Sequence, residues 1–297
     1  MSFKSGFIGI IGRPNAGKST LLNAVMNTKI AITTSKPQTT RNTIRGIKTT
    51  EDYQMIFVDT PGIHKARHEL GRQMNKQAFS TISGVDLIYY IVDGTKTFTE
   101  ADQLIVRAIK NIEVPAFLVV NKLDKLNESQ KYDALTYWQE KADFVEIIPI
   151  SALKEKNLDT LINVTLSYLN DGVMYYPKEQ TIDYPEEFMI TEIIREKVLT
   201  CTNQEIPHSV AVILEKMLYK NDTMIINAVI YIERDSQKGM LIGKNGSMIK
   251  KISTLAREDI EFRFGCKVYL EVFIRVEKDW RNKTKQLHEL GYIAEKD

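Results

Sequence analysis

Cysteine is scarce in this chain of 297 residues, which contains only Cys201 and Cys266. Two cysteines cannot form the disulfide framework of a small secreted domain, so we expect free thiols in a reducing compartment. Long apolar runs are also missing, because no segment reaches the roughly 18 apolar residues of a membrane-spanning helix. Residues 1–12 are too short for a signal peptide. These absences predict a cytoplasmic location.

A large excess of positive or negative charge is also missing, since the formal net charge is only +2 although 26% of the residues are charged. The molecule as a whole therefore cannot attract nucleic acid, and any basic surface must be local. The length and the hydrophobic content of 43% suit one large or two medium domains with sizeable cores.

A phosphate-binding motif follows the first apolar run. Residues 6–11 read as a buried strand, residues 12–19 match GxxxxGK[ST], and residues 18–26 read as a helix. In that context backbone N–H groups and the positive end of a helix dipole converge on phosphate oxygens. We expect Lys18 to reach the β- and γ-phosphates and Ser19 to bind Mg²⁺. The predicted nucleotide contacts here are Gly12, Arg13, Pro14, Asn15, Ala16, Gly17, Lys18, Ser19 and Thr20.

Two further segments predict a metal site and a switch. Asp59 follows the apolar run 54–58, where it can hold Mg²⁺ through water, and Gly62 lets the backbone approach the γ-phosphate. The polar stretch 33–42 offers a threonine to Mg²⁺ and to the γ-phosphate, and we prefer Thr40 over Thr39. Because that contact exists only with a triphosphate bound, the stretch is a candidate order–disorder switch.

The N-K-x-D sequence predicts selection of guanine over adenine. The carboxylate of Asp124 can accept hydrogen bonds from guanine N1–H and its 2-amino group, which adenine lacks, so an ATPase is disfavoured. The same loop contributes Asn121 and Lys122. After the apolar run 145–150 come Ser151, Ala152 and Leu153, and the Ala152 N–H is predicted to donate to guanine O6.

Apolar runs alternate with helix-like stretches over residues 1–170, which predicts an α/β fold: a mostly parallel six-stranded sheet with helices on both faces. The segment 43–50 should pair with the next strand as an antiparallel hairpin. Residues 171–186 lose periodicity and read as a linker. Residues 187–297 follow the order α-β-β-α-α-β of a smaller α+β domain, with a C-terminal tail.

The second half carries the sequence I-G-K-N-G, whose GxxG core resembles the loop with which KH domains clamp single-stranded nucleic acid. No acidic residue occurs between Gln237 and Arg257, which makes this segment a local basic patch. Basic residues at 281, 283 and 285 either extend the contact or belong to a solvated tail. The predicted RNA contacts are Ile242, Gly243, Lys244, Asn245, Gly246, Lys250 and Lys251, and Ile242, Ile249 and Ile252 are expected to anchor the flanking helices.

The nucleotide motifs resemble those of the translation-factor-related GTPases over residues 6–170, and together with the KH-like half the chain resembles the Era family. The resemblance implies a monomer that hydrolyses GTP to GDP with Mg²⁺. It also implies binding to the 3′ end of small-subunit ribosomal RNA and a role in assembly of the small ribosomal subunit. Some members associate with the inner face of the membrane.

One residue departs from the Ras-like pattern. Ras-like GTPases place a water-orienting glutamine after the glycine that corresponds to Gly62, whereas this chain has Ile63. Hydrolysis should therefore be slow without a partner. In related GTPases with this substitution, K⁺ offsets charge on the leaving diphosphate, and Asn15 matches the residue that holds it. The alternative is that Asn15 only shapes the loop. We expect Lys18, Asn15 and Thr40 to act on the reaction itself.

Two functional hypotheses follow. In the first, GTP shifts segments near 33–42 and 62–78 and thereby changes RNA binding by the second domain. In the second, the protein is a GTPase regulator that acts mainly on a protein or membrane partner and reuses the KH fold for docking.

Overall fold

The structure is a computed structural model that describes residues 2–36, 38–202 and 206–293. The chain forms two compact units. The first runs to Asp183, apart from two short segments, 34–39 and 68–70, which belong to the second unit together with the chain from Tyr184 onward. The boundary between the units therefore lies within the predicted linker, 171–186.

The first unit is built on a six-stranded sheet in the order β2-β3-β1-β4-β5-β6. Neighbouring strands are parallel except β2 and β3, which form the expected antiparallel hairpin. All seven residues of β4 are buried, which requires cover on both faces of the sheet. The strands are β1 (Lys4–Gly12), β2 (Ile44–Thr49), β3 (Tyr53–Asp59), β4 (Leu87–Asp93), β5 (Ala116–Asn121) and β6 (Glu146–Pro149).

Helices connect these strands and bury apolar faces against the sheet. The carboxyl ends of parallel strands meet at one edge, so the loops after β1, β3, β5 and β6 are brought together there. The helices are α1 (Lys18–Met26), α2 (Glu69–Ile82), α3 (Glu100–Lys110), α4 (Glu128–Gln139) and α5 (Leu158–Tyr168).

Residues 171–183 are attached to the first unit by specific hydrogen bonds, unlike a free linker. Ile47 N donates to Thr181 O at 2.9 Å, and Gly46 pairs with Ile182 as an antiparallel bridge, so this segment covers the outer edge of β2. The buried Gln54 side chain accepts bonds from the backbone N–H groups of residues 175 and 176. No periodic signal marks this segment in the sequence, because these bonds join an irregular stretch to distant residues.

The second unit has a three-stranded sheet in the order β7-β8-β9, with β7 and β8 antiparallel and β8 and β9 parallel. The predicted order of elements is present, with the short helices α7 and α10 in addition. The strands are β7 (Ala211–Lys220), β8 (Thr223–Ile232) and β9 (Lys267–Val276). The helices are α6 (Glu186–Cys201), α7 (Ile206–Ser209), α8 (Asp235–Ile242), α9 (Ser247–Phe264) and α10 (Thr284–Glu289).

The described part of the predicted tail, up to residue 293, folds onto the second unit. The Trp280 side chain is fully buried, donates Nε1–H to Ser209 O at 2.9 Å, and stacks on Tyr292. Arg281 forms two hydrogen bonds to the half-buried Glu233, so its charge is already neutralised within the fold. Residues 294–297 lie outside the described residues. Among the helices of residues 2–293 that are described, none has the length and apolar character needed to cross a membrane.

Candidate functional site

The loop between β1 and α1 presents backbone N–H groups to a ligand. Helix α1 begins after Gly17 without a side-chain cap and without an acidic residue in its first turn, which leaves its N-terminus suited to an anion. Gly17 has a φ of 104°, and a Cβ there would lie 2.1 Å from Asn121 Nδ2. Glycine is therefore required for the loop to pass under the β5 end.

Lys18 is buried inside this loop. Its Nζ donates to Gly12 O at 3.3 Å and to Arg13 O at 3.0 Å. Burial lowers the pKa of Lys18 to about 8, although the nearby Asp59 carboxylate acts in the opposite direction. Phosphate oxygens beside the ammonium group would restore its full charge.

Three oxygen-bearing side chains converge at the start of α1. Ser19 Oγ lies 2.7 Å from Asp59 Oδ2 and 2.7 Å from Thr40 Oγ1. Asp59 is fully buried, and its Oδ1 has no hydrogen-bond partner among the described residues. Burial raises the pKa of Asp59 to about 6, although Lys18 and Ser19 act against this shift. A hard oxygen donor set with one unsatisfied buried carboxylate oxygen fits Mg²⁺.

The structure separates the two switch threonines. Thr40 lies beside Ser19, whereas the hydroxyl of Thr39 donates to Lys36 O at 2.7 Å and lies 2.7 Å from Thr34 Oγ1. Of the two, Thr40 is the residue placed to contribute oxygen to a metal.

The loop after β5 forms one wall of a pocket next to the phosphate loop. Asn121 spans two loops, because its Nδ2 donates to Ala16 O and its Oδ1 accepts from Ala152 N, both at 2.9 Å. The Ala152 N–H, predicted to donate to guanine O6, is therefore already bonded within the protein. Ser151 Oγ donates to Asp124 Oδ1 at 2.6 Å and orients that carboxylate. The pocket is lined by Gly17, Thr20, Asn121, Lys122, Asp124, Lys125 and Leu153.

Asp93, the partner of Lys122, is a site residue that the sequence motifs did not predict. The Nζ of Lys122 donates to Asp93 Oδ2 at 2.7 Å and to Asn15 O at 2.5 Å, so Lys122 ties β4 to the phosphate loop. Asn15 has a φ of 62°, and the bond to its carbonyl helps to hold this left-handed conformation. The available signal was the position of Asp93 at the carboxyl end of a buried strand.

Ile63 does not face the phosphate loop with its side chain. The side chain is fully buried in the apolar core with Ile11 and Val58. Its backbone N–H donates to Gly12 O at 3.1 Å. A Cβ on Gly62 would lie 2.6 Å from Pro14 N, which explains why this position is glycine. The residue in the glutamine position thus supports the core and cannot orient water.

In the second unit, the GxxG loop joins α8 to α9. Gly243, Asn245 and Gly246 all have positive φ, at 70°, 52° and 76°, so the chain reverses sharply between the helices. A Cβ at Gly243 would lie 2.8 Å from Met248 Cβ, whereas the surroundings of Gly246 are open. The loop is thus compact and accessible.

The side chains around this loop divide into exposed cations and buried anchors. Lys244, Lys250 and Lys251 are exposed. The prediction that Ile242 anchors a helix is wrong, since it is 37% exposed and Leu241 occupies the core position instead. Of the other two expected anchors, Ile252 is fully buried and Ile249 is half-buried. Arg257 of the basic patch is paired with Glu261 on its own helix.

The fold and the two sites define a phosphate-loop GTPase domain joined to a KH domain. A family model described as a 50S ribosome-binding GTPase matches residues 7–122, and a KH domain model matches residues 205–281. The chain is 34% identical to an Era variant of Aquifex aeolicus bound to GDP and AlF4⁻, with a TM-score of 0.94 over 98% of this chain and 99% of that one. The same values hold for a structure of Era with MgGDPNP and nucleotides 1506–1542 of 16S ribosomal RNA. The chain belongs to the Era family of GTPases.

Proposed function

We propose that this protein is a GTP-hydrolysing switch that binds the 3′ end of small-subunit ribosomal RNA and assists assembly of the small ribosomal subunit. The observation that carries the proposal is the presence, on one chain, of a phosphate loop with a buried oxygen cluster and of a GxxG loop with exposed lysines. The family relative bound to both MgGDPNP and 16S ribosomal RNA supports this combination.

In the nucleotide half, backbone N–H groups of the loop from Gly12 to Thr20 hold the phosphates, and the Lys18 side chain neutralises their charge. Ser19 and Thr40 would hold Mg²⁺ with their hydroxyl oxygens and Asp59 would hold it through water, and the metal would stabilise negative charge on the phosphates. Asp124, oriented by Ser151, selects guanine. Because Ile63 lies in the core, the attacking water must be oriented by other groups.

In the RNA half, Gly243 and Gly246 bring the backbone near the phosphodiester chain, and Lys244, Lys250 and Lys251 add positive charge. The family description that names the 50S subunit covers only part of the GTPase half. The small subunit is favoured because the relative with 16S ribosomal RNA covers nearly the whole chain.

GTP and RNA binding are coupled through the segment that precedes Thr40. Within the second unit, the buried Arg195 donates a hydrogen bond to Thr39 O and pairs with Glu192. Thr40, the next residue along the chain, lies at the oxygen cluster of the first unit. A change at Thr40 on GTP binding or hydrolysis therefore acts on a residue whose carbonyl is fixed in the RNA-binding unit.

The test is to measure the affinity of the intact protein for a single-stranded fragment of the 16S 3′ end with a non-hydrolysable GTP analogue, with GDP and without nucleotide. We expect different affinities in the three states, together with a reciprocal change in nucleotide affinity when RNA is bound. Equal RNA affinity in all three states, with unchanged GTP turnover, would refute the coupling. Crosslinking in each state followed by sequencing of the RNA identifies the bases that are read.

The second candidate is a GTPase regulator of a protein or membrane partner, in which the KH fold serves as a docking surface. It predicts that charge reversal at the exposed lysines leaves RNA retention unchanged. A cytoplasmic location remains a prediction from the sequence composition, and a monomeric state and peripheral contact with the inner membrane face remain predictions from the family resemblance.

A further inference from the structure

The phosphate loop is held by side chains from two directions. On the β5 side, Asn121 binds Ala16 O and Lys122 binds Asn15 O. On the other side, Arg13 of the loop itself extends to the N-terminus of α3. Its Nη1 lies 3.1 Å from Thr99 Oγ1 and 3.2 Å from Asp102 Oδ2.

The acceptor for Arg13 is a buried carboxylate that is itself rigidly held. The Asp102 side chain is 1% exposed. Its Oδ2 accepts from Thr99 N and Thr99 Oγ1, both at 2.8 Å, and its Oδ1 accepts from Tyr90 OH at 2.7 Å. Burial and the neighbouring Asp102 raise the pKa of Tyr90, so the phenol stays protonated and remains a donor.

These bonds connect β4, the first turn of α3 and the phosphate loop. Tyr90 lies in the middle of the buried strand β4, and Asp102 occupies the third position of α3, where its carboxylate also accepts from the backbone N–H of the N-cap residue Thr99. The Arg13 side chain is only 20% exposed, so its cation is partly removed from water beside a fixed anion. Such charge-assisted bonds are stronger than neutral ones.

We propose that Arg13 is a positioning residue whose side chain fixes the phosphate loop to Asp102 and Thr99, and that this side chain thereby slows nucleotide release without itself touching the nucleotide. The guanidinium is directed to the start of α3, so its role differs from that of Lys18, whose ammonium lies within the loop. Because these bonds already order the loop before the nucleotide binds, less conformational entropy is lost on binding. This favours tight binding of GDP and GTP alike. This inference rests on the proposed nucleotide site.

The test uses Arg13→Gln, Asp102→Asn and the double variant of the full chain. The matched control is Arg107→Gln, at an exposed position of α3, the helix that contains Asp102. The dissociation rate of a fluorescent GDP analogue is measured by displacement with excess GDP, and kcat is measured at saturating GTP with Mg²⁺. Each single variant should release the analogue about tenfold faster, as expected for removal of one charge-assisted bond. The double variant should be no faster than a single one, because both changes remove the same interaction.

The control should release the analogue at the wild-type rate, and kcat at saturation should stay within about twofold in the control and in Asp102→Asn. Arg13→Lys should recover part of the loss, which a general folding defect would not show. If Asp102→Asn fails to fold, Thr99→Val removes the other acceptor of Arg13 and serves in the same cycle.

An effect of Arg13→Gln with none from its acceptors would overturn the proposal in favour of direct nucleotide contact, and wild-type rates in every variant would also overturn it. Absence of GDP binding by the wild-type chain would instead refute the nucleotide site itself.

Discussion

The hydroxyl of Ser151 donates a 2.6 Å hydrogen bond to the carboxylate of Asp124, which lines the pocket next to the phosphate loop. The two residues lie in loops that follow different strands, β6 and β5, so the bond also joins the two loops. One Asp124 oxygen is thereby fixed by the protein, and the direction in which the carboxylate faces a base is set before binding.

Asp124→Asn is expected to change base preference from guanine to xanthine. The amide would present a donor where guanine also has a donor, whereas xanthine has an oxygen in place of the 2-amino group. GTP affinity should fall by about two or more orders of magnitude while XTP affinity rises. Competition of both nucleotides with a fluorescent analogue measures this, and Lys154→Gln, an exposed neighbour of the pocket, is the control. An undiminished preference for GTP would refute the assignment of Asp124.

Asp59→Asn is expected to stabilise the nucleotide-free protein and to abolish its response to Mg²⁺. Because burial raises the Asp59 pKa from 3.8 to about 6, the ionised carboxylate destabilises the fold above about pH 6. Replacing it should raise the free energy of unfolding at pH 7.5 by about 3 kcal/mol.

This gain should shrink as the pH falls through 6 toward 4, since the wild-type carboxyl then becomes neutral as well. Urea unfolding at several pH values measures it, with Asp133→Asn on the exposed face of α4 as the control. A loss of stability in Asp59→Asn at neutral pH would contradict the burial argument.

Charge reversal around the GxxG loop should weaken RNA binding. In the triple variant Lys244→Glu, Lys250→Glu and Lys251→Glu, the affinity for a single-stranded 16S 3′ fragment should fall steeply. The salt dependence should become shallower by about 0.7 for each RNA phosphate that the variant no longer neutralises. Fluorescence anisotropy over a range of NaCl concentrations measures both. The control reverses two exposed lysines of β7, Lys216 and Lys220, and should bind like the wild type.

Potassium should accelerate GTP hydrolysis if Asn15 helps to hold it. Asn15→Gly keeps the left-handed backbone, whose φ is 62°, but removes the carboxamide, so nucleotide binding should persist while the stimulation by K⁺ disappears. Phosphate release is compared in K⁺ and Na⁺ buffers of equal ionic strength. Equal wild-type rates in the two buffers would leave Asn15 with a role in loop shape alone.

The architecture of the first unit could be predicted because its information is local. Short β-branched runs between helical stretches specify a parallel sheet, and the turn at Glu51 and Asp52 specifies the hairpin of β2 and β3. The loops then meet because carboxyl ends of parallel strands share an edge. The phosphate-loop residues from Gly12 to Ser19 could be identified from their sequence motif alone.

What the sequence could not supply are pairings between residues far apart along the chain. Arg13 and Asp102 are ordinary surface-type residues by pattern, and only the fold brings them together. Lys122 and Asp93 are another such pair. Trp280 is the corresponding case in the second unit, since its partner Ser209 lies far back in the sequence and no local pattern indicates the contact between them.

The bonds between residues 181–183 and strand β2 have a consequence for any attempt to study the GTPase half by itself. A fragment ending near residue 170 would retain all six strands, but Ile47 N would lose its acceptor Thr181 O and the edge of β2 would be bare. A bare edge strand can pair with the same strand of a neighbouring molecule, so we expect this fragment to aggregate. A fragment carried through Asp183 keeps its own cover and should stay dispersed in dilute solution.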